Sequence, residues 1–249
     1  MKESLFVASP CYNGSVHVSF MKSVLELQKL CDRLDIDMKF HTIHFDSLVP
    51  RARNVCANDF LVNNSHDYLM FIDADIQFSP VSIIKMMKSN KDIICGAYPK
   101  KILNYEKLKK YIDHSTDISD LVSMSTNYAI NYQTNNGSIT VEKDLVEVKD
   151  APTGFLLIKR EVLQKLVSES VATEYKNDIH AYGHGKKFYD FFLCGVFDGR
   201  YLSEDYGFCR LCQKVGYKIY CDLSVKLNHI GQFYFSGNIM KQLQNQNMG

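Results

Sequence analysis

The chain has 249 residues, 46% of them hydrophobic and 23% charged, with a formal net charge of +1. This is the composition of a folded globular protein, long enough to bury a sizeable core in one α/β domain without disulfide support. The near-neutral balance speaks against a dedicated nucleic-acid binder, which carries a basic face or tail, and leaves room for a small anionic ligand held by a few local cations.

The first half alternates strand and helix. Ser4 to Ser9 reads as a buried strand ending at Pro10, followed by the polar turn Cys11-Tyr12-Asn13-Gly14. Val16, Phe20, Val24, Leu27, Leu30, Cys31 and Leu34 then recur at helical spacing. Asp37 to Phe45 reads as a second strand, Val55 to Val62 as a short helix, and Tyr68 to Ile72 as a fully buried strand. Ser79-Pro80 is a helix start, with Ser as N-cap and Pro at the first helical position. Asp92 to Ala97 gives a further strand. Such alternation implies crossover connections and a mostly parallel central sheet with helices on both faces. Ligands of these sheets bind beyond the carboxyl ends of the strands, which directs attention to Pro10–Asn13, Asp73–Asp75 and Tyr98–Lys101.

The second half is less regular. Lys100 to Asn136 reads as a helix plus an excursion loop, with Asn136-Gly137 as a turn. Ile139 to Val148 and Phe155 to Ile158 read as strands, Arg160 to Val167 as a helix, and Tyr175 to Gly199 as a long loop rich in Gly, His and aromatics. Ser203 opens a helix with Phe208, Leu211, Cys212 and Val215 inward, and Lys218 to Cys221 is a short strand. No internal repeat or linker is evident, so residues 1–249 read as one domain, regular in its half to about residue 100 and less regular in the half after it.

Eight scattered cysteines lie mostly in apolar runs, and only Cys209 and Cys212 are closely spaced, with no second CxxC. They read as buried free thiols in a reducing compartment. The opening MKESLFVASP is too short and polar for a signal peptide, and no segment approaches the ~20 apolar residues of a membrane span. A soluble cytoplasmic protein is expected.

The sharpest chemical signal is Tyr68-Leu-Met-Phe-Ile-Asp-Ala-Asp75, an apolar strand broken by two carboxylates one residue apart. Mg2+ and Mn2+ take oxygen ligands and accept one or two carboxylates plus substrate phosphates. A solvated loop acid beside a helix-capping acid is the plainer alternative. In Leu202-Ser-Glu-Asp-Tyr206, Ser203 is an N-cap candidate, and acids in the first turn suit the helix dipole. A carboxylate there can also accept a proton from a hydroxyl nucleophile. His229, in Leu227-Asn-His-Ile-Gly231, is either a polar loop residue or a metal ligand. Pro50-Arg-Ala-Arg-Asn54 and Tyr98-Pro-Lys-Lys101 offer cations to a phosphate, or are ordinary surface charge. Gly154, before the strand FLLIK, permits close backbone approach to a ligand or simply makes a tight turn.

In order, SPCYNG, VPRARN, FIDAD, GAYPKK, APTGFLLIKREVL, YLSED and NHIG resemble the glycosyltransferase-A superfamily of nucleotide-diphospho-sugar transferases, its inverting type above all, over residues 4 to about 235. The resemblance implies a single-domain Rossmann-like fold and transfer of a sugar from a nucleotide-diphosphate donor, UDP by default, to the hydroxyl of a glycan, glycoprotein or glycolipid. It implies Mn2+ or Mg2+ held by Asp73, Asp75 and His229, with Asp205 as catalytic base beside Glu204. Donor contacts fall by resemblance on Pro10, Tyr12 and Asn13, on Arg51, Arg53 and Asn54, on Asp73, Ala74 and Lys100, and on Thr153 and Gly154. It extends to anchorless glycosyltransferases of large DNA viruses and phages, acting in host cytoplasm. The chain lacks Trp, so an aromatic acceptor platform would fall to Phe188, Tyr189, Phe191 or Phe192. A loop from Gly231 to Gly237 is expected to close over the donor. The rivals are a sugar-phosphate nucleotidylyltransferase, which usually carries a Gly-rich basic loop where this chain has SPCYNG, a non-catalytic carbohydrate-binding protein, and a two-metal nuclease, which the neutral charge disfavours.

Overall fold

The computed structural model describes residues 2–114, 117–134, 136–233 and 239–240. In chain order it contains β1 (Ser4–Cys11), α1 (Val18–Arg33), β2 (Asp37–His44), α2 (Val49–Asn63), β3 (Tyr68–Ile72), β4 (Ile76–Phe78), α3 (Pro80–Lys88), β5 (Ile93–Cys95), β6 (Pro99–Leu103), α4 (Tyr105–Tyr111), α5 (Ile118–Met124), β7 (Thr126–Tyr128), β8 (Asn131–Tyr132), β9 (Val141–Glu142), β10 (Leu145–Asp150), β11 (Phe155–Lys159), α6 (Arg160–Ser168), β12 (Thr173–Lys176), β13 (Lys187–Asp190), β14 (Gly195–Phe197), β15 (Arg200–Leu202), α7 (Glu204–Lys214), β16 (Ile219–Asp222) and β17 (Leu227–His229). A nine-stranded sheet runs β2-β1-β3-β11-β5-β16-β10-β8, with β9 also on β10. Every strand in it points the same way except β11 and β10, whose pairings are antiparallel.

Period-two alternation splits the strand side chains between two cores. Phe6, Ala8, Leu69, Phe71, Leu156 and Ile158 face α2, α6 and α7. Leu5, Val7, Met70, Ile72, Phe155 and Leu157 face α1 and α3. Strands buried on both faces explain why YLMFI and FLLIK read as unbroken apolar runs. Arg160 ties α2 down by donating to the carbonyls of Phe60, Leu61, Asn64 and His66, satisfying acceptors at and beyond the end of that helix.

Several expected boundaries are corrected. The helix expected over Val55 to Val62 begins at Val49, because Pro50 sits in its first turn and Arg53, Asn54 and Asn58 are buried rather than solvated. The strand expected over Ile139 to Val148 is a hairpin: Lys143 and Asp144, both at positive φ (51° and 66°), turn β9 into β10. The long loop expected from Tyr175 to Gly199 contains the hairpin partner β13, a 3-10 turn over His180–Tyr182, and β14. β4, too short to show periodicity, pairs with β17 and so brings His229 opposite Ile76. Of the loop expected to close over the donor, residues 234–237 lie outside the described residues.

Candidate functional site

A cleft of about 490 Å³ opens beyond the carboxyl ends of β1 and β3. Pro10, Tyr12 and Asn13 from the β1 turn line one wall, and Asp73, Ala74 and Asp75 line another, with Arg53 between. Asn13 accepts from the Ser15 backbone N–H and hydroxyl, which fixes the turn. The His17 N–H donates to the Ala74 carbonyl (2.9 Å), joining the start of α1 to the carboxylate turn. Asp46 also lines the cleft, and the sequence reading passed over it: a lone acid after a strand carries no pattern. Its carboxylate takes the Arg51 guanidinium at 2.8 Å and the Leu48 N–H. Burial pushes its pKa up, but Arg51 and these bonds hold it below the ordinary value. Arg51 is therefore committed to Asp46.

The two carboxylates of the D-x-D pair face different partners. Asp73 receives Arg53 Nη2 at 3.0 Å, and its N–H donates to the Gly154 carbonyl at 2.9 Å. A Cβ at Gly154 would lie 2.5 Å from Asp73 Oδ2 and 2.6 Å from the Tyr98 hydroxyl, so close approach requires glycine here. Arg53 is almost wholly buried and reaches Glu204 Oε1 at 3.6 Å. Burial disfavours its charge, but Asp73, Asp205 and Glu204 outweigh that and raise its pKa further.

Asp205 lies in the first turn of α7 beside the buried Thr153. Burial pushes its carboxyl up; Arg53 and Thr153 draw it down, Glu204 and Asp73 push it up again, and it settles at about 6. Ser203 is the N-cap residue but makes no side-chain capping bond.

Asp75 faces His229. The His229 Nδ1 lies 2.9 Å from the Pro99 carbonyl, which can only accept, so Nδ1 carries a proton and Nε2 is the nitrogen turned toward Asp75. Nε2 stands 3.4 Å from Asp75 Oδ1, a buried atom with no hydrogen-bond partner. In its neutral form the ring would offer Nε2 beside this oxygen to a cation, and a backbone carbonyl is the usual partner of a ligating imidazole's other N–H. Lys101 Nζ contacts the other oxygen, Oδ2. Burial raises the Asp75 pKa, but His229 and Lys101 reverse this and hold it at about 2. Among the described residues no three His, Cys, Asp or Glu side chains gather into a metal cage. One carboxylate and one imidazole nevertheless fit a hard divalent ion that takes its remaining ligands from phosphate and water.

Four expectations need correction. Asn54 is absent from the cleft: its amide holds Asp190 (2.6 Å) and the N–H groups of Phe191 and Phe192. Lys100 is exposed, and strand alternation in β6 turns its neighbour Lys101 to the carboxylate instead. Phe188, Phe191 and Phe192 are core residues rather than a platform, with Phe192 stacked on Phe208 at 4.9 Å. Asp73 stands apart from the Asp75–His229 pair, held by Arg53.

No family model and no curated protein matches the sequence. Among solved structures, A197 from STIV is similar over 92% of this chain and 86% of its own, with 17% identity and a TM-score of 0.53. GalNAc-T7 with UDP, GalNAc and Mn2+ aligns with 94% of this chain and 44% of its own (8% identity, TM-score 0.44), and the inositol-1-phosphate CTP transferase from T. maritima with 98% and 96% (8%, 0.44). The likeness to A197 is one of fold: a mixed α/β protein whose central sheet is mostly of one strand direction.

Proposed function

We propose that this chain is a glycosyltransferase that moves a sugar from a nucleotide-diphosphate donor, a UDP-sugar first, to an acceptor hydroxyl with inversion, using Mn2+ or Mg2+. The observation that carries this reading is Asp75 Oδ1 and His229 Nε2 converging at 3.4 Å where the cleft meets the β3 turn. Pro10, Tyr12, Asn13 and Ala74 hold the nucleoside end of the donor. Asp75 and His229 would hold the metal, while Asp73 stays with Arg53. When bound, that ion neutralises charge building on the departing nucleoside diphosphate. Asp205 takes the acceptor hydroxyl's proton while its oxygen attacks the anomeric carbon and the bond to the diphosphate breaks. A carboxyl near 6 suits this role, being ionised at neutral pH yet more basic than an ordinary aspartate. Arg53 orders Asp73 and Glu204, keeping the base and the metal side of the site in register. No helix among the described residues is long and apolar enough to cross a membrane, and the acceptor is a glycan, glycoprotein or glycolipid that this cleft can reach.

The test is donor hydrolysis with UDP-, GDP-, ADP- and dTDP-sugars in Mn2+, Mg2+ or EDTA, following free nucleotide. Metal-dependent release of a nucleoside diphosphate from one donor, lost in Asp75→Ala, supports the proposal. Release of pyrophosphate when nucleoside triphosphate and sugar phosphate are exchanged would assign nucleotidylyl transfer instead. Silence on every donor, with no metal-dependent nucleotide binding, would leave a non-catalytic binder.

A further inference from the structure

Lys101, the second of the two strand-end lysines offered as cations to a phosphate, stands instead beside the Asp75 carboxylate. It lies on β6, and its ammonium contacts Asp75 Oδ2, the oxygen that His229 leaves free. The stem takes a defined path: the Gly231 position lies under it, where an added Cβ would come within 2.6 Å of Cδ and 3.3 Å of both Cγ and Cε. Gly231 follows directly on the segment that anchors His229, with the Ile230 N–H donating to the Asp75 carbonyl at 2.9 Å. The glycine that clears Lys101's path and the histidine facing Asp75 thus belong to one short strand exit.

We infer that Lys101 is a displaceable counter-cation: it neutralises Asp75 through Oδ2 in the donor-free protein and releases that carboxylate when the divalent ion arrives with a diphosphate. This rests on the metal-site reading above. The physical argument is competition for one carboxylate. A half-buried Asp75 whose Oδ1 is shielded from water is costly to leave without a cation, so the ammonium stabilises the empty site and any metal must compete with it for the carboxylate's charge. A free aqueous ion meets a lysine already in place and gains only two protein ligands, so it binds weakly. A metal–diphosphate complex brings its own oxygen ligands, and its anionic phosphates give the released ammonium a new partner. The site therefore favours metal and nucleotide together over metal alone, and coupling of this kind is reciprocal.

The experiment is Mn2+ titration followed by EPR of free Mn2+, on the full chain, with and without UDP, for wild type, Lys101→Met and Asp75→Asn. Wild type is expected to bind Mn2+ weakly alone and tightly with UDP. Lys101→Met is expected to bind Mn2+ alone at least tenfold more tightly, with a correspondingly smaller gain from UDP. Gly231→Ala, which crowds the lysine stem without removing its charge, should shift Mn2+ affinity in the same direction. Unchanged or weaker Mn2+ binding by Lys101→Met, while Asp75→Asn abolishes binding, would overturn the role of Lys101 and leave the metal site intact. Absence of Mn2+ binding in every protein even with UDP, or binding indifferent to Asp75→Asn, would overturn both.

Discussion

Replacing Asp205 by Asn should make the protein more stable and inactive at once. The carboxyl rises from its ordinary 3.8 to about 6 because the fold buries it beside Glu204 and Asp73. The folded chain therefore binds this proton more tightly than the unfolded chain. The penalty for ionising Asp205 is absent below about pH 3.8, grows as pH rises and is complete above about pH 6, where it amounts to about 3 kcal/mol. Asn has nearly the same shape and no charge. Against the gain stand a lost interaction with the α7 dipole, ~0.5 kcal/mol, and a weaker field at Arg53, which keeps Asp73 at 3.0 Å and Glu204 at 3.6 Å. A net stabilisation of about 2 kcal/mol at pH 8 is expected, raising Tm by roughly 4–8 °C for a chain of this length. About half the ionisation penalty is already present at pH 5, so the advantage of the variant should shrink by about 1.4 kcal/mol between pH 8 and pH 5. Urea unfolding of both proteins across that range measures it. Turnover should fall about 10²- to 10⁴-fold with donor binding retained. A variant no more stable than wild type at pH 8, or an advantage independent of pH, would show that Arg53 and Thr153 fully compensate the carboxylate and that its basicity is ordinary.

Wild-type transfer should rise with pH through about 6 as Asp205 ionises, and that inflection should disappear from the residual rate of Asp205→Asn in a kcat/KM profile. Gly154→Ala places a methyl 2.5 Å from Asp73 Oδ2, and a displacement of that carboxylate by about 1 Å should cost ~10²-fold in kcat, read by steady-state kinetics. Asn54→Ala strands the buried N–H groups of Phe191 and Phe192 and should cost about 2–4 kcal/mol in chemical denaturation while leaving nucleotide affinity within twofold, the reverse of what a donor contact predicts. Arg160→Met removes the donor to four carbonyls around the end of α2 and should destabilise by roughly 1–3 kcal/mol without changing KM for the donor.

The parts of this architecture legible from sequence are those in which one residue's chemistry dictates its own surroundings. YLMFI is apolar on both faces because β3 is covered on both, and the carboxylates that end it fall beyond the strand's carboxyl end, as the parallel-sheet rule requires. What stayed hidden depends on partners distant in the chain. Arg53 and Asn54 occupy consecutive positions in a polar stretch that reads as surface, yet one meets Asp73, twenty residues on, and the other Phe191 and Phe192, nearly 140 residues on. Lys100 and Lys101 are chemically identical and both exposed, and only the register of β6 sets which of them meets Asp75. His229 reaches the site through a three-residue pairing of β17 with β4, too short to leave a periodic trace.

The insertion of β11 between β3 and β5 also governs the order in which the molecule can be made. Residues 155–159 bond to both neighbours, Leu156 opposite Phe71 on one side and Cys95 on the other. A chain emerging from the ribosome has β3 and β5 in hand before residue 100, but they do not adjoin, and the sheet has a gap one strand wide until β11 arrives. The first hundred residues are therefore a scaffold awaiting its keystone: a fragment ending at residue 150 would present the apolar edges of β3 and β5 to solvent and to other copies of itself. The same strand follows directly on Thr153 and Gly154, so the step that closes the sheet also seats the backbone against Asp73. The Asp73 side of the candidate site therefore cannot form before β11, and its Asp205 and His229 follow later still in the chain.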